Sequence, residues 1–419
     1  MLFRSIAVNV SDGTAIPYFG ERGVEAILKR LVDRFGWEPN LEGDHIIALA
    51  RGTGSITLEP GGQIELSGEQ CKSIHCTHRE FSEHVREIVT VTEGMGIAFL
   101  GLGMQPFSRV EEIGVVPKKR YAIMAPYMLR VGSMGQRMMK QTATVQANVD
   151  YSDERDAMAK FRVTMGITPI VSAMFANSPV SDGGPNGYMT MRGHIWTDTD
   201  RQRCGLLPFA FNPDAGFEDY VDYALSVPLY FVIRDGQKID LTGIPFQKFL
   251  ADGYRGERAT IEDWALHLST LFPEVRFKTY MEIRSADSQP PELMLALPAL
   301  IKGVLYDEDC LLGAWDLVKS WKWEEREQLY HDAHRHALRA KIRRIRLIEL
   351  AEELVSIAWE GLARQKNLDE SGRDETVYLE GLREQLESGK SSADLILDEW
   401  KGIFRSDLGM LIENRAYRV

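Results

Sequence analysis

The sequence predicts an α+β fold, on three observations. Segments with the two-residue alternation of strands, such as Thr142 to Tyr151, lie among segments with the 3.6-residue period of helices. The two kinds are mixed, without the regular strand–helix alternation of a doubly wound sheet. From about residue 312 onward the pattern is almost wholly helical. The expected organisation is a mixed region over residues 1–311 and a helical C-terminal region over 312–419 packed on the same domain.

In chain order, "RGVEAILKRLVDRF" (22–35) has the apolar spacing of an amphipathic helix. "HIIALARGTGSITLEP" (45–60) reads as a hairpin turning at "RGTG". "GEQCKSIHCTHREFSEHVREIVTVTEGM" (68–95) reads as helix and "IAFLGLG" (97–103) as a buried strand. "QTATVQANVDY" (141–151) is a strand and "DERDAMAKFRVTMGITPIVSAMFA" (153–176) a helix, followed much later by a strand over "RFKTYMEIRSAD" (276–287). Residues 325–365 read as one helix, with no Pro and no Gly before Gly361. "VYLEGLREQLES" (377–388) and "SSADLILDEWKGIF" (391–404) are two more, with Ser391 or Ser392 as N-cap of the last.

Composition narrows the function classes. The 419 residues are 44% hydrophobic and 26% charged, a globular balance. No apolar run approaches the ~18 residues of a membrane span. A net charge of −12 argues against a general nucleic-acid binder. The basic run "RAKIRRIR" (339–346) leads straight into "LIELAEEL", as on a helix surface carrying both signs. Four cysteines, Cys71, Cys76, Cys204 and Cys310, are too few for a disulfide framework and fit a reducing, cytoplasmic setting. The group Cys71, His75, Cys76 and His78 matches no common zinc spacing.

Three strand-like stretches carry unusual polar faces. On "TATVQANVDY", Thr142, Thr144, Gln146, Asn148 and Asp150 share one side, opposite Ala143, Val145, Ala147, Val149 and Tyr151. Short neutral hydrogen-bonding groups suit a polar pocket better than a solvated face, where Lys and Glu usually dominate. On "KTYMEIRSAD", Lys278, Tyr280, Glu282 and Arg284 share a side: either a surface ion pair, or a carboxylate and a guanidinium aimed at one phosphate. Glu59 and Glu65 flank a Pro60–Gly61–Gly62 break among Ile56, Leu58, Ile64 and Leu66, as solvated rim residues or as metal ligands. Together the three faces would suit magnesium, a hard ion that takes oxygens and bridges carboxylates to phosphate.

The segment Asn177 to Phe209 is long for a structureless connection. Tyr188, Trp196 and Phe209 argue against disorder, and Arg192, Arg201 and Arg203 suit bidentate binding of carboxylate or phosphate. His194 is either a base or, as a lone histidine more often is, a structural donor. No Ser or Cys nucleophile pairs with a base. The motifs "ITLEPGGQIELSG", "LGLGMQPF", "VPKKRYAIM", "TATVQANVDY", "FANSPVSDGGPNGYMTMRGHIWTDTDRQRCGLLPF", "YVDYALSVPLYF", "FPEVRFKTYMEIRSAD" and "LPALIKGVLYD", in this order, resemble the glutamate–cysteine ligases of plants and many proteobacteria.

That resemblance, from about residue 11 to the end, implies a glutamine-synthetase-like catalytic domain: a curved antiparallel sheet forming a funnel, with helices outside. It implies ATP- and Mg²⁺-dependent joining of the glutamate γ-carboxylate to the cysteine amine through a γ-glutamyl phosphate. Carried over by position, Glu59, Glu65, Gln146 and Glu282 are the expected magnesium ligands. Arg284 is expected on the transferring phosphate, Asn148 and Lys278 near the nucleotide, and Arg192 near glutamate. Arg120, Trp196 and Arg203 are assigned to the same pocket. The implied partners are glutamate, cysteine and ATP, with neither nucleic acid nor membrane, on a monomer or homodimer. Another γ-glutamyl amide ligase, or an impaired paralogue, remains the alternative. The sequence departs from the family at its start. An acidic Glu-x-Glu strand is expected before "VSDGTAIPYFGERG", where Leu2 and Arg4 stand instead. A truncated copy is therefore expected, with Glu59, Glu65 and Glu282 crowded together and their pKa values raised by mutual repulsion.

Overall fold

The computed structural model describes residues 1–402 and 408–418. Its centre is a nine-stranded antiparallel sheet. The strands are β1 (Leu2–Asn9), β2 (Glu38–Glu42), β3 (His45–Arg51), β4 (Gly54–Leu58), β5 (Ile64–Ser67), β6 (Ile97–Leu100), β7 (Thr144–Val149), β8 (Val275–Phe277) and β9 (Met281–Asp287). The order is β8-β9-β7-β1-β5-β4-β3-β2, and β6 pairs with the second half of β1. The N-terminal strand thus lies mid-sheet, with Leu2 opposite Ser67 on one side and Gln146 on the other.

Period-two alternation decides what each face meets. Phe3, Ile56, Leu58, Ile64, Leu66, Val145, Ala147, Val149 and Ile283 enter one continuous apolar core. Helices cover that side, among them Val24–Phe35 against β3 and Glu154–Met174 against β9. In the first, Val24, Ile27, Leu28 and Leu31 are buried at helical spacing, each worth about 1.5–3 kcal/mol. Gly36, at φ 70°, ends it in the left-handed conformation that favours glycine. Side-chain caps start others: Ser73 for Ile74–Thr92, Asp153 for Glu154–Met174, and Ser391 with Asp394 as a capping box for Ser392–Lys401. Ile403 and Phe404, included in the last expected helix, lie outside the described residues.

Three expectations need correction. The single strand over 276–287 is a hairpin, with Arg276 opposite Glu282 and the turn at Lys278–Tyr280. The single helix over 325–365 is two helices, Trp323–His336 and Leu347–Gln365. A 3₁₀ turn and a short strand pair, Lys341–Ile342 with Ile345–Arg346, separate them. Arg343, at φ 54°, makes that turn while its fork binds Glu325 at 2.7 Å and the Ser320 carbonyl at 2.9 Å. The reversal lets Leu347–Gln365 pack on Ala296–Leu305. The long segment after Asn177 is ordered, in line with its aromatic residues: Thr190 caps a short helix, Met191–Thr197. Cys71 and Cys76 form a disulfide, against the reading of unbridged cysteines. His75 bonds Tyr378 and the Asn367 carbonyl. No helix among the described residues is long and apolar enough to cross a membrane.

Candidate active site

The sheet face away from the core carries the polar side chains of β1, β5, β7 and β9. Register builds it: Thr57 lies opposite Glu65, Glu65 opposite Arg4, and Glu282 opposite both Asn148 and Arg276. The Pro60–Gly61–Gly62 turn brings Glu59 back over Glu65. Gly62 adopts φ 85°, and a Cβ on Gly61 would lie 2.3 Å from the Lys140 carbonyl oxygen, so neither position accepts a side chain freely.

At one end, Arg4 lies between two carboxylates. Its Nη2 is 2.9 Å from Glu59 Oε1 and 2.5 Å from Glu65 Oε2, and its Nε is 3.0 Å from the same Glu65 oxygen. The Thr57 hydroxyl donates to Glu65 Oε1 at 3.1 Å. Arg120, exposed at the rim, donates to the Tyr121 hydroxyl at 2.9 Å and acts electrostatically on Glu59. Lys118 Nζ donates to the Leu58 carbonyl at 2.8 Å. Burial and neighbouring Arg120 push its pKa down to about 8, against the pull of Glu59 and Glu65.

At the other end, Glu282 is enclosed by cations. Oε2 accepts from Arg276 Nε at 2.9 Å and Arg284 Nη1 at 2.7 Å, and Oε1 from Lys278 Nζ at 3.0 Å. Arg284 Nη1 also faces Gln146 Oε1 at 3.4 Å, and its guanidinium lies 5.6 Å from the Trp196 ring centroid. Behind it, Arg192 Nη2 donates to the Arg284 carbonyl at 2.8 Å, with Asp287 at 3.8 Å. Asp287 itself accepts from the Asn177 N–H and from the hydroxyls of Ser178 and Thr190. Around this end, three buried polar atoms have no hydrogen-bond partner among the described residues: Asn148 Oδ1, Arg192 Nε and Trp196 Nε1. Buried polar groups are normally paired, so these three atoms are available to a polar ligand.

For Glu59 and Glu282 the expected rise in pKa is reversed. Burial opposes ionisation of Glu59, but Arg4, Arg120, Lys118 and Arg284 outweigh it and hold the pKa below the ordinary value. Burial likewise opposes ionisation of Glu282, and Arg276, Arg284 and Lys278 keep it well below the carboxylate range. The effect of Arg284 on Glu59 joins the two ends electrostatically.

The implied magnesium cluster does not fit this arrangement. Glu59 and Glu65 face a guanidinium, Glu282 is taken by three cations, and Gln146 Oε1 faces one of those same cations, Arg284. Among the described residues, no three His, Cys, Asp or Glu side chains are grouped to hold a metal. Arg203 also differs from its expected place on a substrate. Its fork is committed to Asp200, the Thr270 carbonyl and the Pro228 carbonyl, and it stacks 4.0 Å from the Tyr230 ring centroid. His194 stacks on Tyr188 at 4.0 Å.

Sequence reasoning missed Arg276, Lys118 and Asp287. Arg276 shares the alternation of Lys278 and Glu282, a signal that was present. Lys118 sits in "VPKKRYAIM" with nothing local to mark it. Asp287 has the wrong parity: a bulge between Ile283 and Ala286 shifts the register and turns it to the face of Glu282.

A family model described as glutamate-cysteine ligase family 2 (GCS2) matches residues 6–413. The chloroplastic glutamate–cysteine ligase of Brassica juncea is 44% identical over 397 residues, covering 94% of this chain and 76% of that protein. The Nicotiana tabacum protein of the same name is 43% identical over 408 residues, covering 97% and 77%. The fold is similar to a crystal structure of glutamate–cysteine ligase from Francisella tularensis in complex with AMP. The TM-score is 0.57 at 12% identity, over 99% of this chain and 86% of that one.

Proposed function

The chain belongs to glutamate-cysteine ligase family 2, and from that premise we propose that it joins the γ-carboxylate of glutamate to the amine of cysteine, coupled to cleavage of ATP, through a γ-glutamyl phosphate. This is the first step of glutathione synthesis. A γ-carboxylate oxygen attacks the terminal phosphorus of ATP, and ADP leaves. The cysteine nitrogen then attacks the acyl carbon, inorganic phosphate leaves, and the amine loses its proton.

The observation that carries this reading within the site is the orphaned trio Asn148 Oδ1, Arg192 Nε and Trp196 Nε1 beside the Arg276–Lys278–Arg284 cations. Phosphoryl transfer needs alignment and charge neutralisation rather than a protein nucleophile. Arg284 is assigned to the transferring phosphate, Lys278 and Asn148 to the nucleotide, and Arg192, Trp196 and Arg120 to glutamate. Glu282 holds the cations at fixed spacing, and Arg203 supports the wall through Asp200 and Tyr230.

The test is a mass-spectrometric assay with glutamate, cysteine, ATP and a magnesium titration. The glutamate γ-carboxylate carries a heavy-oxygen label. The reading expects γ-glutamylcysteine and ADP in equal amounts and one labelled oxygen in the released phosphate. Dependence on added magnesium shows whether the nucleotide brings its own counter-ion. ADP without labelled phosphate would rule out the acyl phosphate. Product with other amines but not with cysteine would move the assignment to another acceptor.

A further inference from the structure

Arg4 stands where two carboxylates face each other, and every contact around it closes that position. Glu65 Oε2 accepts from both Nε and Nη2, Glu65 Oε1 accepts from Thr57, and Glu59 Oε1 accepts from Nη2. The backbone beneath is held on both flanks. Arg4 is opposite Glu65 on β5, Phe3 is opposite Val145 on β7, and the Ser288 hydroxyl donates to the Arg4 carbonyl at 2.7 Å. Phe3 packs against Phe81 with ring centroids 4.7 Å apart. The guanidinium therefore cannot leave by a shift of the strand without breaking sheet pairing and core contacts.

We propose that Arg4 is a built-in cation that closes the Glu59–Glu65 pair to divalent metal and presents a fixed guanidinium at that end of the site. The chemistry is a competition for the same oxygens. A magnesium ion needs oxygen ligands at about 2.0–2.1 Å, and manganese takes the same oxygen donors. Both carboxylates already meet a cation that is covalently part of the chain and needs no binding equilibrium. Metal entry would strip three charge-assisted hydrogen bonds and leave a guanidinium buried beside a divalent charge. This concerns metal binding by the free protein and stands or falls apart from the ligase reading.

The probe is Mn²⁺ alone, titrated into the full chain without substrates and followed calorimetrically and by the paramagnetic signal of free Mn²⁺. Circular dichroism checks folding of each variant. The wild type and Glu65→Gln are expected to give the same isotherm, because the pair is already closed. Arg4→Glu is expected to gain one site, tighter by about 100-fold than any the wild type shows there, from release of a buried competing charge. Adding Glu65→Gln to Arg4→Glu should remove it. A wild-type site lost in Glu65→Gln would overturn the proposal, as would a folded Arg4→Glu that gains nothing. Should Arg4→Glu fail to fold, wild type against Glu59→Gln, at the more open carboxylate, decides by the same criterion.

Discussion

Replacing Glu282 by glutamine should destabilise the protein by about 3 kcal/mol while leaving its shape intact. The side chain is 1% exposed, and its neighbours Arg276 and Arg284 are 6% and 9% exposed. Glutamine keeps the volume but removes the charge, and its amide nitrogen confronts groups that are themselves donors. Breaking a buried ion pair from one side typically costs about 3–5 kcal/mol. The lower end applies because Arg276 keeps the Ser269 and Leu271 carbonyls, each at 2.9 Å, and Arg284 keeps Gln146 and the Trp196 ring. Lys278 is a third exposed and adds little. Urea unfolding of wild type and variant at pH 7 measures the difference. The pH dependence follows from the depressed native pKa. The contribution of Glu282 is fully present above the unfolded carboxylate value, near ~4.3, and is lost as pH falls from there toward the native value. The gap between the two proteins should therefore narrow below about pH 4.3. A loss under about 1 kcal/mol at pH 7, or parallel acid limbs, would refute the claim that this carboxylate organises the cations.

Three further outcomes are expected. In Gly361→Ala the new Cβ would sit 1.9 Å from the Gly303 carbonyl oxygen, forcing apart Ala296–Leu305 and Leu347–Gln365; a loss of about 3 kcal/mol or more should appear as a lower urea midpoint. Lys118, with its pKa lowered from 10.5 to about 8, binds more protons unfolded than folded between those values, so stability should rise with pH across that window; thermal melts of Lys118→Met should lack that rise. Reducing Cys71–Cys76, five residues apart, should cost about 2 kcal/mol in the loop-entropy account, read as a drop in urea midpoint with dithiothreitol that Cys71→Ser abolishes.

Much of the scaffold was legible because its signals are local. Apolar spacing marked Val24–Phe35, the Gly-containing turn marked the β3–β4 hairpin, and of the two serines offered as N-cap of the helix after Lys390, Ser391 caps it. Alternation assigned each side of β7 and β9 correctly up to the bulge, because neighbouring side chains on a strand must point opposite ways. What alternation cannot carry is the partner. Arg4 meets Glu65 across 61 residues, and Asn177 meets Asp287 across 110. These pairings depend on strand order and on one extra residue in β9, both set by packing of the whole sheet. The broken helix has the same origin: residues 337–346 keep a helical pattern, yet the chain reverses there so that Leu347–Gln365 can bury its apolar side on Ala296–Leu305. The sequence determined which residues were polar, which apolar and which faced together. The tertiary structure decided which charges met, and so turned Glu59 and Glu282, expected to repel each other, into acids held ionised by neighbouring cations, since the energy of a buried charge depends on its nearest opposite charge.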